Sequence, residues 1–171
     1  MKPSQIATLM LLLLFGAAAW AQTQQVRIRV VEPRRGKPVA DECLNISFGS
    51  WHGPDLVGAT NADGIVVLNI DKDQASVEPV PGKTCSYSAS TRPVHYENRP
   101  KKFAITTLYY VSCINADTIL KRSTLDVARS SEWIPTFVLT DIMAHGIFAN
   151  GCGKLVLPTK PGELVLVVRN S

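Results

Sequence analysis

The chain has 171 residues, with 18 basic and 14 acidic side chains and a formal net charge of +4. A charge this small, spread over short basic pairs, does not favour nucleic acid as a partner. The length allows one domain with a sizeable core and is short for two.

Residues 1–21 have the pattern of a secretory signal peptide. Lys2 precedes an apolar run, residues 6–19, and Ala19-Trp20-Ala21 matches an A-x-A cleavage site. A membrane anchor is the competing interpretation, but the run is shorter than the roughly 20 residues that span a bilayer. We therefore expect a secreted or periplasmic protein whose single domain is residues 22–171, with no membrane span after cleavage.

The first predicted strand covers residues 25–32, where Val26, Ile28 and Val30 alternate with Arg27 and Arg29. A turn at residues 34–38 follows. Residues 44–48 alternate again and predict a second strand.

A β-hairpin is predicted around Asn61-Ala62-Asp63-Gly64, with residues 57–60 and 65–70 as its strands. Residues 71–83 carry acids and prolines without an apolar period, which indicates a surface connection. Residues 85–89 and 103–111 are the strands of a second predicted hairpin, turning at residues 97–100.

Four cysteines, Cys43, Cys85, Cys113 and Cys152, lie in the part of the chain expected to be exported. An even count in an oxidising compartment favours two disulfides, and three pairings are possible. The second hairpin would place Cys85 opposite Cys113, within disulfide reach. The preferred pairing is therefore Cys85 with Cys113 and Cys43 with Cys152. A metal site is the alternative use of the cysteines, but none of them sits in a C-x-x-C pair, so no metal is predicted at them. No other cofactor is predicted.

The remaining chain predicts little regular structure until its end. Residues 114–133 lose the strand alternation and indicate short helical turns or an irregular crossover. Thr140 and Asp141 are expected to cap one helical turn that stops at Gly146. Residues 155–157 and 164–168 predict a final hairpin. The expected fold is an all-β antiparallel sandwich of about 7 to 8 strands with one or two short helical turns.

One stretch also resembles a known family. Gly36-Lys37-Pro38-Val39-Ala40, Leu44-Asn45-Ile46 and the run from Thr60 to Leu68 resemble the carboxypeptidase regulatory-like domains, also called transthyretin-like or prealbumin-like. The C-terminal residues 142–168 resemble the endings of small exported bacterial proteins of unassigned role. The resemblance implies an Ig-like or transthyretin-like antiparallel β-sandwich and transfers no active site, because turn and strand residues carry the motif. Glu42, Cys43 and the Trp51 loop depart from it.

Few residues suggest chemistry. The catalytic motifs H-E-x-x-H and G-x-S-x-G are not present in the sequence. Trp51, His52 and Asp55 form a possible ligand loop, since a carboxylate can orient an imidazole. Four tyrosines suggest a binding strip or, alternatively, cross-strand stacking: Tyr87, Tyr96, Tyr109 and Tyr110.

Two functional hypotheses follow from these observations. The first is a noncatalytic module for binding or cell-envelope interaction, with a protein or carbohydrate as ligand. The alternative is a small secreted hydrolase or metal-dependent enzyme that uses His52, His95 or His145 with nearby acids.

Overall fold

The computed structural model describes residues 23–48, 55–85, 92–107, 110–113 and 136–170. Within these ranges the chain forms an all-β sandwich of eleven strands and one helix, so the predicted fold class is confirmed with more strands than expected. The strands are β1 (Gln24–Val31), β2 (Cys43–Ser47), β3 (Leu56–Ala59), β4 (Ile65–Ile70), β5 (Gln74–Val77), β6 (Val94–His95), β7 (Lys102–Thr107), β8 (Tyr110–Ser112), β9 (Thr136–Val138), β10 (Ile147–Ala149) and β11 (Glu163–Asn170). The helix is α1 (Leu139–His145). The predicted signal peptide and the irregular stretch at residues 114–133 lie outside the described residues.

The strands form two sheets. The large sheet has the order β10-β11-β1-β4-β5-β6, with β8 also paired to β11, and the small sheet has the order β3-β2-β7-β9. The core between them is apolar, because each strand turns alternate side chains inward. Its largest fully buried members include Phe103, Phe137, Ile28, Leu44, Leu68 and Leu164.

The first strand agrees with its sequence pattern. Val26, Ile28 and Val30 are fully buried, and Arg27 is exposed on the other face. The alternating pattern predicts this strand correctly because one face of the strand contacts the core and part of the other face contacts solvent.

The first predicted hairpin is wrong in its pairing, although its turn is present. Gly64 N–H donates to Asn61 O at 2.9 Å, as a tight turn requires. However, β3 pairs with β2 in the small sheet and β4 pairs with β1 in the large one. The chain leaves the small sheet at Thr60, whose buried hydroxyl donates to Val39 O and accepts from Glu42 N–H, both at 2.8 Å. These two long-range bonds hold Thr60 where the chain crosses between the sheets.

The surface connection predicted for residues 71–83 contains a strand, β5. Ala75 is fully buried and Val77 packs against the core, whereas Gln74 and Ser76 face outward. Small and polar residues thus build an alternating strand whose inward side chains are too few to give a strong apolar signal.

The disulfides join Cys43 to Cys85 and Cys113 to Cys152, with Cα separations of 5.8 and 4.8 Å. The predicted pairing of Cys85 with Cys113 and of Cys43 with Cys152 is therefore wrong. That pairing required β7 to fold back on the segment after Cys85. Instead, β7 lies between β2 and β9 in the small sheet.

The final hairpin is also wrong. β11 runs parallel to both β1 and β10, so the sandwich is not wholly antiparallel. The continuous apolar run from Leu164 to Val168 is buried on both faces, as is typical of strands in parallel sheets. Leu155 and Leu157 cover the outer face of this strand instead of pairing with its edge.

The predicted helical turn is present as α1, which ends at Gly146 with φ of 71°. Its N-cap is Val138, without a side-chain capping bond, so the predicted cap at Thr140 and Asp141 is wrong. Burial of Leu139 and Ile142 explains the helix better than capping does.

Candidate functional site

The base of the predicted ligand loop is held by Asp55. Its Oδ2 accepts from the backbone N–H of Phe48 at 2.6 Å, and its own N–H donates to Ile46 O at 3.0 Å. Residues 48 and 55 therefore bring the two ends of the intervening loop together. Trp51 and His52 lie outside the described residues. Asp55 has a structural use that sequence reasoning missed, because side-chain to backbone closure of a loop leaves no periodic signal.

Aromatic rings connect this loop base to the core. The ring of Phe48 lies 6.1 Å from that of Tyr96 and 6.1 Å from that of Phe103, centroid to centroid. Phe103 in turn lies 6.3 Å from Phe137. These separations fall within the range of favourable aromatic pairs. Phe48 at the loop base thus packs against Phe103 of the small sheet and against Tyr96 beside the edge strand of the large sheet.

Tyr96 directly follows β6, an edge strand of the large sheet, and polar contacts hold its side chain. Its hydroxyl lies 2.9 Å from Asp71 O and 2.7 Å from Gln74 O, and Arg99 Nε donates to Asp71 O at 3.2 Å. Desolvation by burial raises the pKa of Tyr96 to about 12; Arg99 opposes this rise, and Asp71 and Asp73 add to it. The hydroxyl is therefore protonated at neutral pH and committed to backbone carbonyls.

The predicted tyrosine strip is described only in part. Tyr96 belongs to the β6 edge of the large sheet, while Tyr110 begins β8 beside β11 on the opposite side of that sheet. Tyr87 and Tyr109 lie outside the described residues. The described members thus sit far apart in the sheet.

The structure does not bring His95 and His145 together. His95 is exposed on β6, and His145 is exposed at the end of α1, immediately before β10. Since β6 and β10 are the two ends of the large sheet's strand order, five strand spacings separate them, on the order of 20 Å. Across the described part of the chain, no group of three His, Cys, Asp or Glu side chains could hold a metal ion.

Two further polar residues are more buried than their sequence context indicates. Glu42, beside the disulfide residue Cys43, has 0% exposure, and Asn45 in the middle of β2 has 9%. Asn45 belongs to the sequon Asn45-Ile46-Ser47, but it is buried in a strand paired on both edges, whereas glycan acceptors lie in surface loops. The departure of Glu42 from the family motif was the sequence signal that could have drawn attention to it.

Asp71 and Asn61 serve as turn residues. The Asp71 carboxylate accepts from Thr23 Oγ1 and, at 3.4 Å, from Gln74 Nε2. Asn61 Oδ1 accepts from the N–H groups of Asp63 and Ile65, both at 3.0 Å. The bonds to Gln74, Asp63 and Ile65 close local turns with side-chain oxygens, whereas the Thr23 bond ties the start of β1 to the end of β4.

Among the described residues, the single helix is too short to cross a membrane. Comparisons of the chain with protein-family models, with curated proteins and with solved structures find no match.

Proposed function

We propose that the protein is a noncatalytic, exported β-sandwich module of the carboxypeptidase regulatory-like kind that binds a protein or carbohydrate ligand at the cell envelope. The observation that carries the proposal is the closed loop base, in which the 2.6 Å bond between Phe48 N–H and Asp55 joins the two ends of a sequence segment that contains Trp51 and His52. Binding residues are often found on loops that a rigid scaffold positions. Tryptophan is also enriched among the residues that dominate binding energy.

Two features support export and binding over catalysis. The two disulfides are of the kind that persists in an oxidising compartment. In addition, the chemically competent groups of the described chain are dispersed or already engaged: His95 and His145 lie on separate elements, and Tyr96 is bonded to carbonyls.

A glycan and peptide array tests the proposal with the processed, oxidised protein purified after export. We expect a selective ligand class that is recovered chemically unchanged after incubation with stoichiometric protein. Asp55→Ala opens the loop base and should weaken binding at least about tenfold, through loss of preorganisation. Asp63→Ala is the matched control, because Asp63 is an exposed turn residue of another loop.

One outcome would reject this function, and another would reject its site. Chemical conversion of a bound ligand would make the protein an enzyme. Equal binding by the Asp55→Ala and wild-type proteins would remove the loop from the site. Cell fractionation checks the envelope role separately, since the proposal requires the oxidised protein to be recovered outside the cytoplasm.

A further inference from the structure

An extended segment crosses the outer face of the large sheet; we refer to residues 152–160 as the strap. Its inward residues Leu155 and Leu157 join a small second core over β1 and β11. That core contains Val31, Val165 and Val167, each fully buried. The strap therefore covers an apolar sheet face that would otherwise be exposed to water.

The strap alternates strictly in exposure from Lys154 to Lys160. Leu155, Leu157 and Thr159 are half-buried, whereas the residues between and beside them are exposed. The outward line is Lys154, Val156, Pro158 and Lys160. Val156 is 74% exposed and is the exposed large hydrophobic residue of the described chain. The strap therefore presents two apolar side chains flanked by two cations.

Specific bonds hold the strap in place. Cys152 is joined to Cys113, and Asn150 Nδ2 donates to Leu155 O at 2.8 Å. Arg29 donates to Pro158 O at 3.3 Å and pairs with Glu163 at 3.0 Å. Because covalent and polar contacts fix it at several points, the outward line is a preorganised surface.

The turn after β1 brings more cations beside the strap. Leu157 lies directly over Gly36, such that a Cβ added to that glycine would meet its Cδ1 at 3.1 Å. Arg34, Arg35 and Lys37, all exposed, thus adjoin the strap.

A sixth cation and one acid complete this surface. Arg169 is exposed on the same face of β11, two residues beyond Val167. Glu32 is the exposed acid beside the turn. The strap face is defined by six cations, one acid and two apolar residues: Arg34, Arg35, Lys37, Lys154, Lys160, Arg169, Glu32, Val156 and Pro158. These cations are scattered in the sequence and lie on one face because β1 and β11 are neighbours.

We propose that the strap face docks on the surface of a bilayer containing anionic phospholipid. Basic residues beside a negatively charged leaflet each raise partitioning about fivefold, and the attraction is screened by salt. Val156 and Pro158 favour a bilayer over nucleic acid, because they project between the cations where a headgroup layer can receive apolar atoms and phosphodiester backbones cannot. The inference rests on the proposed envelope role and names the surface that performs it.

Vesicle co-sedimentation tests the inference with the processed, oxidised protein. The vesicles are phosphatidylcholine alone or phosphatidylcholine and phosphatidylglycerol in equal parts. We expect binding to the anionic vesicles at low salt, its loss at high salt, and none to the neutral ones. Lys154→Glu/Lys160→Glu should lower the partition coefficient at least about tenfold. Val156→Asp should lower it severalfold, whereas Val156→Leu should preserve it.

The matched control is Lys72→Glu/Lys102→Glu, which makes the same change in net charge at exposed sites on other elements. It should retain most of the binding. Equal losses in the two double variants would show attraction by net charge alone and overturn the inference. Equal binding to a soluble polyanion, with no effect of Val156→Asp, would also overturn it in favour of a general anion patch.

Failure of the inference and failure of the proposed function are distinguishable. If Lys154→Glu/Lys160→Glu still fractionates with the envelope like the wild type, the strap face is not the docking surface and the envelope role stands. If the wild-type protein is not recovered with the envelope, the proposed role itself fails.

Discussion

Cys113 and Cys152 join the ends of β8 and β10 where both strands pair with the same edge of β11. Their Cα atoms are 4.8 Å apart, and Cys113 N–H donates to Val167 O between them at 3.0 Å. The bond therefore closes an otherwise interrupted sheet edge and anchors the strap.

Removing either disulfide should lower the free energy of unfolding by about 2 to 4 kcal/mol. The bonded cysteines are 42 and 39 positions apart, so the chain-entropy contributions are nearly equal. Urea unfolding of Cys43→Ala/Cys85→Ala and Cys113→Ala/Cys152→Ala measures both losses. A larger loss of unfolding free energy in Cys113→Ala/Cys152→Ala than in Cys43→Ala/Cys85→Ala would measure the contribution of the strap contacts. Non-reducing peptide mapping that joined Cys85 to Cys113 would contradict the structure.

Thr60 should be the most sensitive polar residue of the crossover between sheets. Thr60→Val keeps the side-chain shape but leaves the buried Glu42 N–H and Val39 C=O without the hydroxyl that now bonds both. We expect a loss of about 3 kcal/mol, because buried backbone groups that lose their partners are costly. Thr60→Ser retains the hydroxyl and should lose about 1 kcal/mol. Equal losses in chemical denaturation would show that the hydroxyl bonds contribute little.

The sequence predicts those parts of the fold whose cause is local. The alternation in β1 reflects its buried and exposed faces, and the turn at Gly64 reflects a positive φ of 70° that glycine adopts readily. Pairing partners depend on distant residues instead. The bonds of Thr60 to Val39 and Glu42 help to pair β3 with β2 instead of β4. The apolar periodicity of the sequence does not predict such long-range bonds.

The two candidate binding surfaces, the ligand loop and the strap face, also differ in how far local sequence predicts them. Trp51, His52 and Asp55 are predicted from chemical type alone, and the structure adds how Asp55 closes the loop base. The strap face could not be predicted, because its two halves are more than 110 positions apart in sequence and meet only through the parallel pairing of β1 with β11. A strand predicted as half of a hairpin cannot reveal such a neighbour.

Alanine substitutions at Gly64 and Gly82 distinguish the cost of a steric conflict from the cost of backbone strain alone. Both have positive φ, 70° and 74°, but a Cβ at Gly64 would lie 2.7 Å from Val30 O, whereas one at Gly82 would meet nothing within 4 Å. Gly82→Ala should lower the free energy of unfolding by about 1 kcal/mol, from the left-handed backbone alone. Gly64→Ala should lose roughly 3 kcal/mol, because the backbone of β1 must also shift. Thermal unfolding of both variants checks the difference, and equal losses would contradict the close approach.

Tyr96 should give the protein a pH-dependent stability in alkaline solution. Burial raises the pKa of Tyr96 from 10.0 to about 12, so the folded protein holds this proton more tightly than the unfolded chain does. The stabilisation is therefore fully present below pH 10 and is lost as the pH rises from 10 through 12. Tyr96→Phe should cost about 1 kcal/mol below pH 10, through loss of the bonds to Asp71 and Gln74 carbonyls. Chemical unfolding of both proteins should show this gap narrowing toward pH 12, and a constant gap would contradict the raised pKa.

Charge variants test the cause of that shift by phenolate absorbance, read as a difference from Tyr96→Phe. Because Arg99 lowers the pKa of Tyr96, Arg99→Met should raise it further; because Asp73 raises it, Asp73→Asn should lower it. Desolvation is the largest cause, so neither variant should return the pKa to 10.0. Movement of the two variants in the same direction would show that the local charges are not those that the geometry assigns.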